Sequence, residues 1–597
     1  MTLAAASSRL QDGLARIDAL ADRRFGEWHV PGLAYGVIAD GRLVHARGLG
    51  TLRVGEDAPP TPSSVFRIAS MTKSFTAATV LHLRDEGRLR LDDPVGQHVP
   101  ELADLRGPTS DSPLITIRHL LTMTAGFPTD DPWGDRQQGL DLGAFSELLR
   151  GGLSFAWAPG IRFEYSNTGY GILGRVITNV AGREYRDVVR ERLLAPLSMD
   201  STGYLAEEVE PERLAHGYLW RDEAFVEEPM EGYGALAAMG GLFTTIEDLS
   251  RWVIGFLDST PPRDGPENGH PLSRASRREM QQPMVPGELR LSQSAPDAMP
   301  DAETSHYGFG LFQIDTLAFG RMIGHGGGYP GFGSHMRWHP ASGLGIVSLA
   351  NSRYGPAGPL AREQMQELLR LEAAPVRKVR PAAPTEAARA AVERLLGAWD
   401  DAEAAELFAM NIELDEPVAL RKAAIQRIRE RHGALRADDV IPNESLSPFH
   451  LDWWLAGARG GRVHVEIQLS PELPPKLQSL ALTSVAEPSA LQRGVADRLV
   501  ARINAGTDGA VVDWPGDVAL AADVDLAAVR RVLAATAARF APVSLGPPVD
   551  GDGASKATYR LHSDRGHLEL ALDVDATEAC VKSVVITPIQ RGLPDLE

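Results

Sequence analysis

Phe66-Arg67-Ile68-Ala69-Ser70-Met71-Thr72-Lys73 opens a run that continues through Ser74-Phe75-Thr76-Ala77-Ala78-Thr79-Val80-Leu81 to Gly87. Lys73 is the only lysine before Lys378, and none of the other five lysines (Lys378, Lys422, Lys476, Lys556, Lys582) has a serine three residues before it. Elsewhere in that stretch the cations are arginines, which hold their proton at any working pH, whereas burial can neutralise a lysine and make it a base. An apolar stripe through Phe75, Val80, Leu81 and Leu83 predicts a helix from Ser70 to Glu86, stopped by Gly87. Three residues along a helix return to the same face, so the Lys73 amine can reach the Ser70 oxygen. The helix N-terminus adds a positive field and free N–H groups near Ser70, which with burial disfavours an ammonium at Lys73. Ser70 is therefore a candidate nucleophile and Lys73 its base. Ser-x-x-Lys recurs by chance in long chains, so the reading needs partners.

Working outward, Leu33–Ile38 and Leu43–Ala46 flank a turn at Ala39-Asp40-Gly41-Arg42 and predict a strand pair. Helices are expected around 117–122, 142–150 and 171–180, an irregular excursion over 257–305, strands at 321–324, 334–339 and 345–350, and a closing helix at 361–372. That order predicts an α+β domain over residues 1–372 with an antiparallel sheet. An Ala/Pro/Arg-rich linker over 373–384 leads to two further units, 385–486 and 487–597. Arg462–Leu469 and His567–Val574 alternate strictly, as parts of two segments offset by about 105 residues, and strands at 477–485 and 581–589 repeat at nearly the same offset. Helices at 418–433 and 526–541 precede each pair, so the two units read as diverged copies of a small α+β module, helices then a hairpin.

Composition narrows the function. A chain of 597 residues needs several cores, and a formal charge of −19 argues against nucleic acid or an anionic membrane surface as partner. The single cysteine, Cys580, excludes an intrachain disulfide and any cysteine-rich metal site, and no metal or cofactor is expected. Residues 1–30 lack a basic n-region and an unbroken apolar h-region, so they read as an amphipathic helix and not a signal peptide. With no run long and apolar enough to span a bilayer, the expected location is the cytoplasm.

Two further constellations could serve Ser70. In Phe163-Glu164-Tyr165-Ser166-Asn167-Thr168-Gly169-Tyr170, a tyrosine beside a lysine base can relay a proton, its acidity raised by the cation, and Asn167 can contact a substrate amide. The same segment also reads as a loop whose Asn caps a helix and whose Tyr is core. In Gly324-His325-Gly326-Gly327-Gly328-Tyr329-Pro330-Gly331, glycines beside a strand let a substrate add as an extra strand, and an N–H from this edge with that of Ser70 would form an oxyanion hole. A phosphate loop would need a lysine followed by Ser or Thr, which is missing, and a flexible turn is the plain alternative.

Taken together these motifs resemble the serine β-lactamase-like superfamily, in the branch of class C β-lactamases, D-alanyl-D-alanine carboxypeptidases, D-aminopeptidases and related esterases (peptidase family S12). Its motifs Ser-x-x-Lys, Tyr-x-Asn and Lys/His-x-Gly stand in order as Ser70–Lys73, Tyr165–Asn167 and His325–Gly327. Val30-Pro31-Gly32-Leu33, Phe66–Ala69, Ile115–Leu121 and Gly240–Thr245 are similar as well, so the resemblance covers about residues 28–370. It implies an antiparallel sheet flanked by helices, with a mostly helical subdomain and the site between them. It also implies Ser70 as acylated nucleophile, Lys73 as base, Tyr165 as proton relay, and Asn167, His325 and Gly327 as substrate contacts, with Ser70 and Gly328 N–H groups as the oxyanion hole. Glu164 fits a class A Glu-x-x-Asn, but the longer surroundings match the Tyr-x-Asn branch.

The implied function is hydrolysis of an ester or amide of a small or peptide-like substrate through an acyl-enzyme, as an esterase or D-stereospecific amidohydrolase with at most weak β-lactamase activity. Histidine at 325, in place of a fixed lysine charge, favours uncharged acyl groups or peptides bound at the amino end. Arg353 could restore a carboxylate contact or be a surface arginine. His450 with Trp453-Trp454 could be a ligand site or hairpin core. Acyl transfer to an alcohol or amine, or an inactive binding scaffold, are the other readings, and the C-terminal copies are candidates for a homo-oligomer surface.

Overall fold

The computed structural model describes residues 3–589 apart from 268, 293–300, 317–318, 376, 378, 439, 507–511 and 564–565. These divide into two compact units, one built from 1–291 and 302–376, the other from 377–595 with 292–301.

The first unit is organised on an eight-stranded sheet. In chain order its strands are β1 (Gly32–Ala39), β2 (Arg42–Gly50), β3 (Val285–Ser292), β4 (Asp301–Tyr307), β5 (Phe312–Thr316), β6 (Gly320–Tyr329), β7 (Phe332–His339) and β8 (Leu344–Ala350). They lie in the order β2-β1-β8-β7-β6-β5-β4-β3. The β1–β8 register, Leu33 opposite Ala350 through Ile38 opposite Gly345, joins the two ends of the unit. Pairing is antiparallel, as the α+β reading expects.

Part of the expected irregular excursion folds as helix Arg274–Met280 and as β3 and β4, residues 259–267, 269–273 and 281–284 are irregular as expected, and 268 and 293–300 lie outside the described residues. Its Pro286 and Gly287 hid the strand, but proline is tolerated at a sheet edge, where an N–H needs no ladder partner. Leu289 and Leu291 on this outermost strand are exposed.

Both faces of the sheet are covered. On one, the helices between β2 and β3 enclose a large core containing Phe75, Ile172, Leu173, Trp252 and Trp338. On the other, the amphipathic Leu3–Glu27 helix and the Ala357–Arg370 helix bury Ile17, Tyr35, Met322, Leu344 and Met365. No helix among the described residues is long and apolar enough to cross a membrane.

The second unit holds two small sheets, each behind its own helices and around its own core. Strands Leu435–Ala437, His450–Gly457, Arg462–Leu469 and Leu477–Val485 form one meander, and Val543–Gly551, Lys556–Ser563, Gly566–Asp575 and Cys580–Ile589 the other. Helices Ala383–Gly397 and Val418–His432 correspond to Ala490–Ala505 and Leu526–Phe540. Each copy is thus a four-stranded meander where a hairpin was expected. Two of the missed strands lack a one-face pattern: Val543–Gly551 contains Pro547-Pro548 and shifts register, and in His450–Gly457 Trp453 enters the main core while Trp454 packs with Ile441 and Val485. Lys556–Ser563, by contrast, does alternate, burying Ala557, Tyr559 and Leu561. Trp453 and Trp454 are both buried, and His450 Nε2 lies 3.1 Å from Glu466. A short strand, Ala519–Leu520, adds in parallel to the edge of the second sheet.

Candidate active site

Ser70 lies in a 3-10 turn, Ala69–Met71, and the α-helix runs from Thr72 to Asp85, so the serine precedes the helix it was expected to begin. Ala69 is held at φ +48°. A non-glycine residue in the left-handed region costs roughly 1–2 kcal/mol, and such strain persists only where surroundings enforce it. Here Ile68 N–H donates to Leu242 O at 2.9 Å, and Ser334 Oγ donates to Ile68 O at 2.7 Å.

The helix is buried on every side from Thr72 to Leu81, where one apolar stripe was expected. Its hydroxyls make this tolerable. Ser74 donates to Met71 O at 2.8 Å, Thr76 to Ala238 O at 2.7 Å and Thr79 to Phe75 O at 2.8 Å, while Thr72 accepts from Leu242 N–H at 3.1 Å. Buried polar groups are affordable when hydrogen-bonded. Lys73 is the one charge among them.

Lys73 is fully buried, with Nζ 3.1 Å from Ser70 Oγ, 2.7 Å from Asn167 Oδ1 and 2.8 Å from Met239 O. Burial pulls its pKa down to about 8, opposed by the charges of Asp131, Asp130 and Asp135. The neutral amine is therefore a minority form at pH 7 and the majority form above about pH 8.

Asn167 is also tied into the protein, and one of its two Nδ2 hydrogens is left for the substrate contact expected of it. Its Oδ1 accepts from Lys73 and its Nδ2 donates to Asp131 Oδ1 at 2.6 Å, so both ends of the amide are engaged within the protein. Ser166 caps the Asn167–Ala181 helix by accepting from Gly169 N–H, and Asp130 accepts from the N–H groups of Asn167 and Thr168 at 2.6 and 2.8 Å. Asp135 is buried too, its pKa raised to about 6 chiefly by burial, and Tyr354 donates to its carboxylate. Sequence reasoning passed over these aspartates. The signal was three acids in one Pro- and Gly-rich stretch, Pro128-Thr129-Asp130-Asp131-Pro132-Trp133-Gly134-Asp135, ahead of the Tyr-Ser-Asn motif.

The Tyr165 ring lies 4.8 Å from Lys73 Nζ. Burial and Asp131 push its pKa well up, and the hydrogen bond with Ser70 only opposes this, so the phenol is neutral where an acidified tyrosine was expected.

His325 sits on β6, which continues through the glycine run as strand where a turn was an alternative. β5 pairs with β6 only as far as Gly324, leaving 325–329 unpaired on that side. His325 is buried, Nδ1 2.6 Å from Gly326 O and Nε2 3.3 Å from the Tyr307 hydroxyl. A carbonyl can only accept, so Nδ1 carries the proton and Nε2 receives the Tyr307 O–H. Burial and Lys73 lower its pKa to about 3, so it is neutral at any working pH. Tyr307 is a second residue that sequence reasoning passed over. It belongs to Tyr307-Gly308-Phe309-Gly310-Leu311, whose Gly310 (φ +71°) brings the loop onto Lys73, since a Cβ there would come 2.7 Å from Lys73 O.

Gly327 is small for a packing reason. A Cβ would meet Ile68 O and Ser334 Oγ, both at 2.2 Å, so this glycine lets β6 close onto the backbone just before Ser70. Gly328 has the Tyr354 ring against it in the same way. Arg353 forms a two-pronged pair with Glu228, which occupies the arginine that could have received a carboxylate.

Ser70, Lys73, Tyr165 and His325 thus converge from helix, loop and sheet, with Asn167 and Asp131 behind the lysine. Known proteins are similar to this chain. The chain is 28% identical over 349 residues to "Protein flp" of Staphylococcus aureus (strain MW2), covering 58% of this chain and 65% of that protein. It is 27% identical over 308 residues to "Penicillin-binding protein 4*" of Bacillus subtilis (strain 168), covering 50% of this chain and 62% of that one. The chain therefore spans less than two thirds of the length of these relatives. Among solved structures, the octameric penicillin-binding protein homologue from Pyrococcus abyssi matches with a TM-score of 0.50 and 19% identity over 97% of this chain and 98% of that one, a likeness of fold. The family model described as Beta-lactamase matches residues 17–370, more than half of the chain and all four of the converging residues, and the chain belongs to the beta-lactamase family.

Proposed function

We propose that the chain is a serine hydrolase that forms an acyl-enzyme on Ser70 and cleaves an ester or amide of a small or peptide-like substrate. The observation that carries this reading is the 3.1 Å approach of Lys73 Nζ to Ser70 Oγ, with a pKa of about 8 on a fully buried lysine. Neutral Lys73 takes the Ser70 proton as Oγ attacks the acyl carbon. The resulting oxyanion is held by the N–H groups of Ser70 and Gly328. Collapse expels the alcohol or amine, which takes its proton from Lys73 through the neutral Tyr165 hydroxyl, leaving the acyl group on Ser70. Water, deprotonated by the same pair, then releases the acid and restores the serine. In this reading Asn167 is a positioning residue that points Nζ at Ser70, and His325 walls the acyl pocket.

The electrostatics narrow the substrate. His325 is neutral, Arg353 is taken by Glu228, and Asp130, Asp131 and Asp135 surround the base. Neither His325 nor Arg353 offers a substrate carboxylate a fixed positive charge, which favours neutral esters and amides over β-lactams and carboxypeptidase substrates, and the aspartates favour the ammonium of a D-amino-acid amide. The test is intact-mass detection of a fluorophosphonate adduct, with turnover of p-nitrophenyl esters, D-amino-acid amides and nitrocefin. Ser70→Ala should lose the adduct and reduce ester turnover by about 10⁴-fold or more. Undiminished turnover by that variant overturns the reading. The Pyrococcus protein is described as octameric. Self-association is the corresponding proposal for this chain, and a monomer mass by light scattering rejects it.

A further inference from the structure

The back of β6 carries a second, small cavity, behind the strand whose front carries His325. Successive strand residues point to opposite faces, so Met322, Gly324 and Gly326 face away from Ile323, His325 and Gly327. Register sets Arg337 of β7 opposite Gly324, and His335 opposite Gly326. With no side chain at either glycine, a cavity of about 50 Å³ opens there, bordered by Phe312, Ile314, Met322, His335 and Arg337 and touched by Ile323 and His325 of the strand itself.

Arg337 is 3% exposed. Its Nε donates to His335 Nε2 at 3.3 Å and one terminal nitrogen lies 3.6 Å from Met322 Sδ, and neither partner is negative. Among the described residues no carboxylate comes within ion-pair distance, and Glu303 acts on it only at longer range. Burial and the nearby positive charge of Arg362, exposed on the Ala357–Arg370 helix, pull Arg337 down to about 10, which still leaves it cationic at neutral pH. Because His335 Nε2 accepts from Arg337, its proton is on Nδ1, which lies between Gly326 and Gly358. In the same layer Ser348, the register partner of His335, and both amide atoms of Gln364 are buried without a hydrogen-bond partner. A desolvated guanidinium without a counter-charge is strongly unfavourable, and a bound anion would relieve it.

We propose that this cavity binds one small monovalent anion, of the size of chloride or formate, held by the Arg337 guanidinium and the His335 Nδ1–H within the field of Arg362. The volume is sufficient for the ligand, since roughly 10–15 Å³ of such space already holds one water-sized guest. An occupant there braces β6 and β7 from behind, on the strand whose front carries His325.

The test follows thermal unfolding of the full chain as sodium bromide replaces sodium gluconate at constant ionic strength, with anomalous diffraction from bromide-grown crystals. The expected result is a saturable rise in Tm of roughly 2 °C, with bromide density between Arg337 and His335. Arg362→Gln, a change at an exposed position, should raise the half-saturating bromide concentration several-fold. A linear, unsaturated salt response, or bromide density everywhere but in this cavity, overturns the proposal.

Discussion

Lys73 and Arg337 are buried cations packed against opposite faces of one sheet, and their surroundings differ in a way that decides what each can do. Three aspartates lie in the field of Lys73, and its amine is bonded to Asn167 and Met239. Arg337 has a histidine and a thioether. Desolvation acts on both, but a lysine answers it by releasing its proton near neutral pH, whereas a guanidinium starts too high to do so. Burial of the first makes a base, and burial of the second makes an anion receptor.

The comparison breaks most sharply at Lys73→Arg. The charge survives and the base does not, so acylation of Ser70 by a fluorophosphonate should slow by at least about 10³-fold, measured by intact mass against time. Gly327→Ala tests the packing that presents Ser70. A Cβ 2.2 Å from Ile68 O forces β6 away from the turn, and the expected cost is more than about 2 kcal/mol by denaturant unfolding, with slower adduct formation.

Arg337→Met should behave in the opposite sense. Replacing an uncompensated buried charge by an apolar side chain is expected to stabilise the chain by about 1–3 kcal/mol in gluconate, and to remove the bromide response. A destabilised variant in gluconate would mean that Arg337 already has its counter-charge.

The smallest effect concerns pH. The neutral form of Lys73 is the active one, so turnover of a neutral ester should rise with pH through about 8 and level off above it. Asp131 is the strongest of the charges holding that pKa up, so Asp131→Asn should move the rising limb to lower pH while its amide oxygen still accepts from Asn167. A limb that stays in place assigns the titration to another group.

Much of this was legible in the chain. Ser70, Lys73, Tyr165, Asn167 and His325 are polar residues in short motifs whose spacing is local, and a lone lysine in an arginine background marks itself. The strand pair was legible as two apolar runs around a turn, and the repeated alternation at 462–469 and 567–574 because a period of two survives wherever one face is buried. Asp131, Asp135 and Tyr307 were not, because their relevance is a contact across many residues of intervening chain. Neither was the role of Gly327, which reads as an opening for substrate and is filled by the backbone of Ile68. Asn167 was read for what its amide can offer a substrate, but only the fold reveals that both ends are engaged.

The sequence alone determined that a serine and a lysine would share a helical turn, and that tyrosine and histidine motifs would follow in a family order. Those facts rest on covalent spacing and side-chain chemistry. Tertiary structure decided the protonation states. Lys73 at about 8, a phenol kept neutral, a histidine that does not titrate and an arginine without a counter-charge among the described residues all follow from how much water burial removes and which charges remain nearby. Desolvation and Coulomb terms depend on distance in space, and no local pattern in the chain encodes them.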